Sequence, residues 1–188
     1  MSELTLAYDN PFWRFSTKLY RLDSVESACI YLQDHQGVMV NQLLFSCWLT
    51  TQNVCFADDW AKQVEPVLGW HNQFVVPLRK QRRQLKPMAD VEEHLATMRE
   101  HLLSAELIAE QHEQALLYLL YSLKKGMQTC SDRETALRTN LRFTLKDAKL
   151  TATAQQQLKN LLELVVDEEI AQAIIIGLSS DIDQNPQE

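Results

Sequence analysis

The stretch VMVNQLLFSCWL, residues 38–49, decides the fold. It is apolar nearly all round, broken only by Asn41, Gln42 and Ser46, and a helix without a polar face is one that other elements surround. It reads as a central, mostly buried helix. Upstream, Gly37 is placed to end a preceding helix in a left-handed conformation. That helix carries Val25, Ala28, Cys29, Tyr31 and Leu32 at a 3.6-residue period and is capped by Asp23 or Ser24. Further upstream, Asn10 and Pro11 pair a strong N-cap with a residue suited to the first helical turn, so another helix opens there.

Downstream, Ala57, Asp58 and Asp59 start a segment that Pro66 and Gly69 disturb, and Pro77 falls inside an otherwise helical pattern over residues 70–86, where a kink or restart is expected. Pro87 punctuates and Asp90 caps. Residues 91–123 then form one long helix or two, with Leu95, Met98, Leu102, Ala105, Ile108 and Ala109 spaced as a buried stripe. Ser131 and Glu134 have capping-box spacing ahead of Ala136, Leu137, Leu141 and Leu145. Residues 151–166 and 169–178 supply a last helical hairpin or one bent helix. The expected fold is all-α, an irregular bundle of seven to nine helices with no sheet. The expected organisation is a helical core over residues 1–145, a helical extension packed on it over 146–178, and a flexible acidic tail over 179–188.

Composition agrees. The 188 residues are 46% hydrophobic and 23% charged, with four Gly and five Pro, too few turn-formers for an all-β chain. A chain of this length buries about two thirds of its unfolded surface, so neither a disulfide nor a metal is needed to hold it together. Cys29, Cys47, Cys55 and Cys130 form no C-x-x-C pair and have no zinc-knuckle spacing, so reduced thiols are expected. The first eight residues lack the basic flank and apolar core of a signal peptide, and the most apolar stretches fall short of the ~20 residues a membrane span needs. Cytoplasmic location and no membrane contact are the expectations.

Charge is unevenly spread. Residues 77–86, PLRKQRRQLK, hold Arg79, Lys80, Arg82, Arg83 and Lys86 without an acid; against a net charge of −7, the rest of the chain carries −12. On a helix Arg79, Arg82 or Arg83, and Lys86 share one side at three- and four-residue spacing, with Leu78 and Leu85 anchoring the other. Arginine's planar fork suits phosphate and carboxylate. Arg79, Arg82, Arg83 and Lys86 are therefore the candidate residues for an acidic protein partner or an anionic small molecule. The competing reading is a solvated face, or one that pairs with this chain's own acids, such as those after Glu163. Gln33 and Asn41, polar groups in or near apolar segments, either fix helix register or join Arg79 or Arg83 in a polar pocket. A homodimer joining the acidic C-terminal region of one copy to the basic helix of another is a further possibility, and the −12 elsewhere argues against nucleic acid.

Asn10-Pro11-Phe12-Trp13, Phe15-Ser16, Tyr20, Ala28-Cys29, Leu32-Gln33, Gly37, Val40-Asn41, Leu43-Leu44-Phe45, Trp48-Leu49, Trp70, Val76-Pro77-Leu78-Arg79, Arg82-Arg83 and Leu85-Lys86 together resemble an uncharacterised proteobacterial family of conserved hypothetical helical proteins. The resemblance covers about the first 145 residues. It implies a small bacterial cytoplasmic protein and no assigned activity.

Catalytic signals are weak. His94, His101 and His112 lie on one stretch, but no Glu-x-x-His or H-E-x-x-H pair accompanies them, so neither a metal nor another cofactor is expected. Asp58-Asp59 lacks the further Asp of an aspartate-rich diphosphate motif. No G-x-S-x-G elbow or Gly-rich phosphate loop occurs. No catalytic residue is assigned. The leading expectation is a non-enzymatic binding or adaptor protein that works through the basic helix; the alternative is a helical enzyme or small-ligand protein with an Arg-lined pocket.

Overall fold

The computed structural model describes the backbone of residues 5–183 and the side chains of residues 5–178. The tail expected over 179–188 falls outside the described side chains. In chain order the elements are α1 (Pro11–Tyr20), α2 (Asp23–Gln36), α3 (Val40–Thr51), β1 (Val54–Phe56), α4 (Trp60–Gln63), α5 (Glu65–Trp70), a π-helical turn (His71–Val75), α6 (Val76–Ala89), α7 (Glu93–Ser122), β2 (Met127–Thr129), α8 (Arg133–Thr144), α9 (Ala152–Leu162) and α10 (Glu168–Asp183). The α5, π and α6 segments run on through helical backbone at His71 and Val76, so the ten α segments make nine rods among the described residues. The chain divides into two compact units. One contains Asp59–Gly126 with the residues before Arg14; the other contains Arg14–Asp58 and everything from Met127.

In the second unit α3 is the centre, as its composition requires: every residue from Asn41 to Thr50 is buried. It packs against α8, while α2 lies on α9 and α10 on α8 and α9. Gly37 ends α2 at φ +67°, the left-handed conformation that costs an L side chain most. The start of α2 differs from expectation, since Leu22 is the N-cap and no side chain caps it. For α8 the cap is Asp132, which accepts from the Thr135 amide at 2.8 Å, one residue beyond the expected Ser131.

The expectation of no sheet is corrected by a two-stranded antiparallel ladder, with Val54 opposite Thr129, Cys55 opposite Gln128 and Phe56 opposite Met127. Asn53 at φ +53° turns the chain out of α3 into β1. Asn140, fully buried on α8, then fixes the strand: its Oδ1 accepts from the Phe56 amide at 2.8 Å and its Nδ2 donates to the Val54 carbonyl at 3.0 Å. The cysteine expectation is corrected too. Cys55 and Cys130 are bridged, with Cα atoms 6.0 Å apart across 75 residues of sequence, while Cys29 and Cys47 are free and buried.

In the first unit Asn10 opens α1 as its composition predicts: Oδ1 accepts from the Trp13 amide at 2.9 Å and Nδ2 donates to the Ala7 carbonyl at 2.7 Å. The irregularity expected at Pro77 lies just upstream. Between His71 and Val75 the backbone closes an i to i+5 ring, Val76 N–H donating to the His71 carbonyl, before Pro77 enters without an amide to satisfy. Pro87 does not end α6, which continues to Ala89. Residues 91–123 resolve into the single 30-residue helix α7. Of the expected stripe, Leu95, Leu102, Ala105 and Ala109 are half-buried or buried, whereas Met98 and Ile108 are exposed, at 51% and 68%. Gly126 closes the unit at φ +67°, where a Cβ would lie 3.1 Å from the Trp60 backbone.

Candidate functional site: the charged seam of the α6–α7 hairpin

The face that α7 turns inward steps by four and three residues: Leu95, Arg99, Leu102, Glu106, Ala109 and Glu113, half-buried or buried throughout. Such a 4-3-4-3 run keeps one seam facing a partner helix. A charged residue recurs at every seventh position, Arg99, Glu106 and Glu113. Apolar seams exclude charges unless they are paired, so the partner helix must supply opposite charge.

For Glu106 the basic residues of α6 supply it. Glu106, 3% exposed, accepts from Arg79 Nε at 2.8 Å and from Arg82 Nε and Nη2 at 2.5 and 3.3 Å. Arg79 Nη2 also donates to Glu110 at 2.5 Å. Arg79 thus bridges two carboxylates one helical turn apart, with separate nitrogens of its guanidinium fork directed at each. Burial pushes the Glu106 carboxyl up, but hydrogen bonds from Arg82 and Arg79 and the charges behind them hold it below the ordinary value. For Glu110 the balance is reversed: burial raises it, the Arg79 charge and hydrogen bond oppose, neighbouring Glu106 and Glu113 add to the rise, and the net direction is up.

A turn further along, the end of α5 and the start of the π turn deliver two more contacts. Trp70 Nε1 donates to the Ala109 carbonyl at 2.8 Å, and His71 Nδ1 lies 3.0 Å from Oε2 of Glu113, whose side chain is wholly buried. The other oxygen of Glu113 has no hydrogen-bond partner, nor has Arg99 Nε. His112 stacks at 3.9 Å on Trp70 and bonds through Nδ1 to the Tyr8 hydroxyl at 3.0 Å. Burial lowers the basicity of its imidazole.

Of the residues singled out from sequence, Arg79 and Arg82 are brought together in this seam. Arg83 and Lys86 are on the exposed side of α6, as is Lys80. Gln33 and Asn41 belong to the other unit. Gln33 is half-buried and donates to its neighbour Asp34 at 3.2 Å, while Asn41 is buried on α3. His94 and His101 are exposed on α7. Among the described residues no group of three or more His, Cys, Asp or Glu is placed to hold a metal ion, and no helix is long and apolar enough to cross a membrane. Sequence reading missed Glu106, Glu110, Glu113 and His71; the signal that finds the three acids is their i, i+4, i+7 spacing in phase with Leu102 and Ala109.

No curated protein and no solved structure matches the chain. Residues 11–117, from the first turn of α1 through most of α7 and therefore including the whole charged seam, match the family described as "Protein of unknown function (DUF2390)", and the chain belongs to it.

Proposed function

We propose that the protein is a non-enzymatic, cytoplasmic binding or adaptor protein whose α6 engages an acidic segment of a protein partner. The observation that carries this reading is the division of labour among the cations of α6. Arg79 and Arg82 are turned to the glutamates of α7, whereas Lys80, Arg83 and Lys86, three residues apart, lie along its exposed side. No residue of α6 is buried. The seam therefore fixes the backbone that presents the basic strip, and a rigid row of cations favours an acidic partner through steering and charge-assisted hydrogen bonds. With the two inner arginines engaged by carboxylates, a phosphate-bearing small molecule has fewer groups to hold it than an extended acidic peptide has along the strip.

The test is affinity capture with the full chain and with the Lys80→Gln, Arg83→Gln, Lys86→Gln triple variant, at two salt concentrations. Loss of the captured partner in the variant, with an unchanged melting temperature and weaker capture at high salt, is the expected result. Capture that survives the three substitutions refutes the reading. A change in oligomeric state on substitution identifies the partner as a second copy.

A further inference from the structure

We propose that the Cys55–Cys130 bridge is a thiol-exchange site, opened by a dithiol reductant of the thioredoxin class and closed by the disulfide form of such a partner, with Cys130 as the sulfur that is attacked on opening. The two ends of the bridge differ. Cys55 is 2% exposed in the middle of β1, whereas Cys130 is half-buried, with Gln128, Thr129, Ser131, Asp132 and Arg133 exposed around it. An incoming thiolate therefore reaches the Cys130 sulfur. It forms a new S–S bond there, the Cys55–Cys130 bond breaks, and its electron pair goes to the Cys55 sulfur, which takes a proton. The second thiol of the reductant then attacks the mixed disulfide, releasing Cys130 as a thiol and leaving the reductant as its own disulfide. Two electrons enter the protein and two leave the dithiol.

The remaining cysteines do not compete. Cys29 and Cys47 are fully buried, burial pushes the Cys29 thiol up to about 12 and the Cys47 thiol further still, and a thiol without thiolate neither attacks nor reshuffles. The chain thus holds one exchangeable pair. In the cytoplasm proposed above, the dithiol form of the partner opens the bridge and its disulfide form accepts the two electrons when the bridge closes again.

Opening the bridge has an asymmetric consequence. β1 is held independently, because Asn140 binds the Phe56 amide and the Val54 carbonyl from α8. Among the described residues, the hydrogen bonds that hold β2 are those of the three-residue ladder and the one from the Cys130 amide to the Asn53 carbonyl, 2.8 Å. Reduction therefore releases β2 and residues 127–131, where the chain returns from the 59–126 segment, while β1 stays in place.

The experiment uses the full oxidised chain under native conditions. A thioredoxin-class dithiol is added, free thiols are counted by maleimide mass shift, and amide exchange is followed by mass spectrometry. Two thiols are expected to become reactive while Cys29 and Cys47 stay protected. Exchange over residues 127–131 is expected to speed up about tenfold or more, with residues 54–58 little changed. The Cys55→Ser, Cys130→Ser double variant reproduces that pattern without reductant. The proposal is overturned if the bridge resists the dithiol until the protein is denatured, if both strands open together, or if the oxidised chain, once denatured, shows four thiols.

Discussion

Replacing Glu106 with Gln tests the charged seam directly, because the substitution keeps size and shape and removes only the charge. The wild-type carboxylate is 4% exposed and takes three hydrogen bonds from two guanidinium groups that are themselves 13% and 19% exposed. An amide in its place offers one acceptor and turns an NH2 toward donors. Breaking a buried pair costs about 3–5 kcal/mol, and the partial solvent contact of both arginines places this site near 3 kcal/mol. For a chain of this size that corresponds to a melting temperature lower by about 6–12 °C. Glu110→Gln has the opposite character. A carboxyl held below its ordinary value, as in Glu106, contributes stability that is present above the unfolded value and lost as pH falls through the folded one. A carboxyl raised by burial, as in Glu110, contributes stability that is present below the unfolded value and lost as pH rises through the folded one. At pH 7, then, Glu106→Gln is strongly destabilising and Glu110→Gln costs little, and in acid the deficit of Glu106→Gln narrows. Urea denaturation followed by the intrinsic fluorescence of the tryptophans at pH 7 and near pH 4 measures both. A Glu106→Gln chain within about 1 kcal/mol of wild type at pH 7, or two variants equally impaired, refutes the reasoning.

Two further substitutions probe the amides that position the units' elements. Asn140→Ala removes the partners of a buried amide and a carbonyl on β1 and is expected to cost about 3 kcal/mol, read by chemical denaturation together with faster amide exchange at Phe56; a loss under about 1 kcal/mol would mean that β1 is held by other means. Asn10→Ala removes a cap that is 2% exposed and bonded at both ends, with an expected cost of about 1–2 kcal/mol that Asn10→Asp partly restores, and equal stability of the two variants would contradict a capping role.

The features legible in the sequence were those carried by single residues or by one continuous period. Asn10 at the head of α1, Gly37 at the end of α2 and the all-round apolar α3 each follow from local physics. The ladder was not legible, because strands of three residues are too short to show alternation and their partners lie far apart in the chain. The bridge was hidden for the same reason, since Cys55 and Cys130 carry no local spacing signal. In α7 Leu95, Leu102 and Ala109 lie on the inward face as expected, and the error was in the residues taken with them. Counting apolar residues selects Met98 and Ile108, whereas the seam runs through Arg99, Glu106 and Glu113, which hydrophobicity alone assigns to the solvent side. The basic run on α6 was visible at once, but which of its arginines turn inward depends on acids 24–31 positions away.

The π turn at His71–Val75 acts as a phase adjuster. Eight residues separate His71 from Arg79, which in an unbroken α-helix leaves the two side chains about 80° apart. The one extra residue in the i to i+5 ring takes up about 100°, bringing both to within about 20° of the same line. That is why His71 and Arg79 both reach acids on α7. Loss of a single residue from this turn would leave every helix intact yet rotate the whole of α6 like a misaligned key, carrying Arg79 and Arg82 off their glutamates and turning the Lys80, Arg83 and Lys86 row to another bearing.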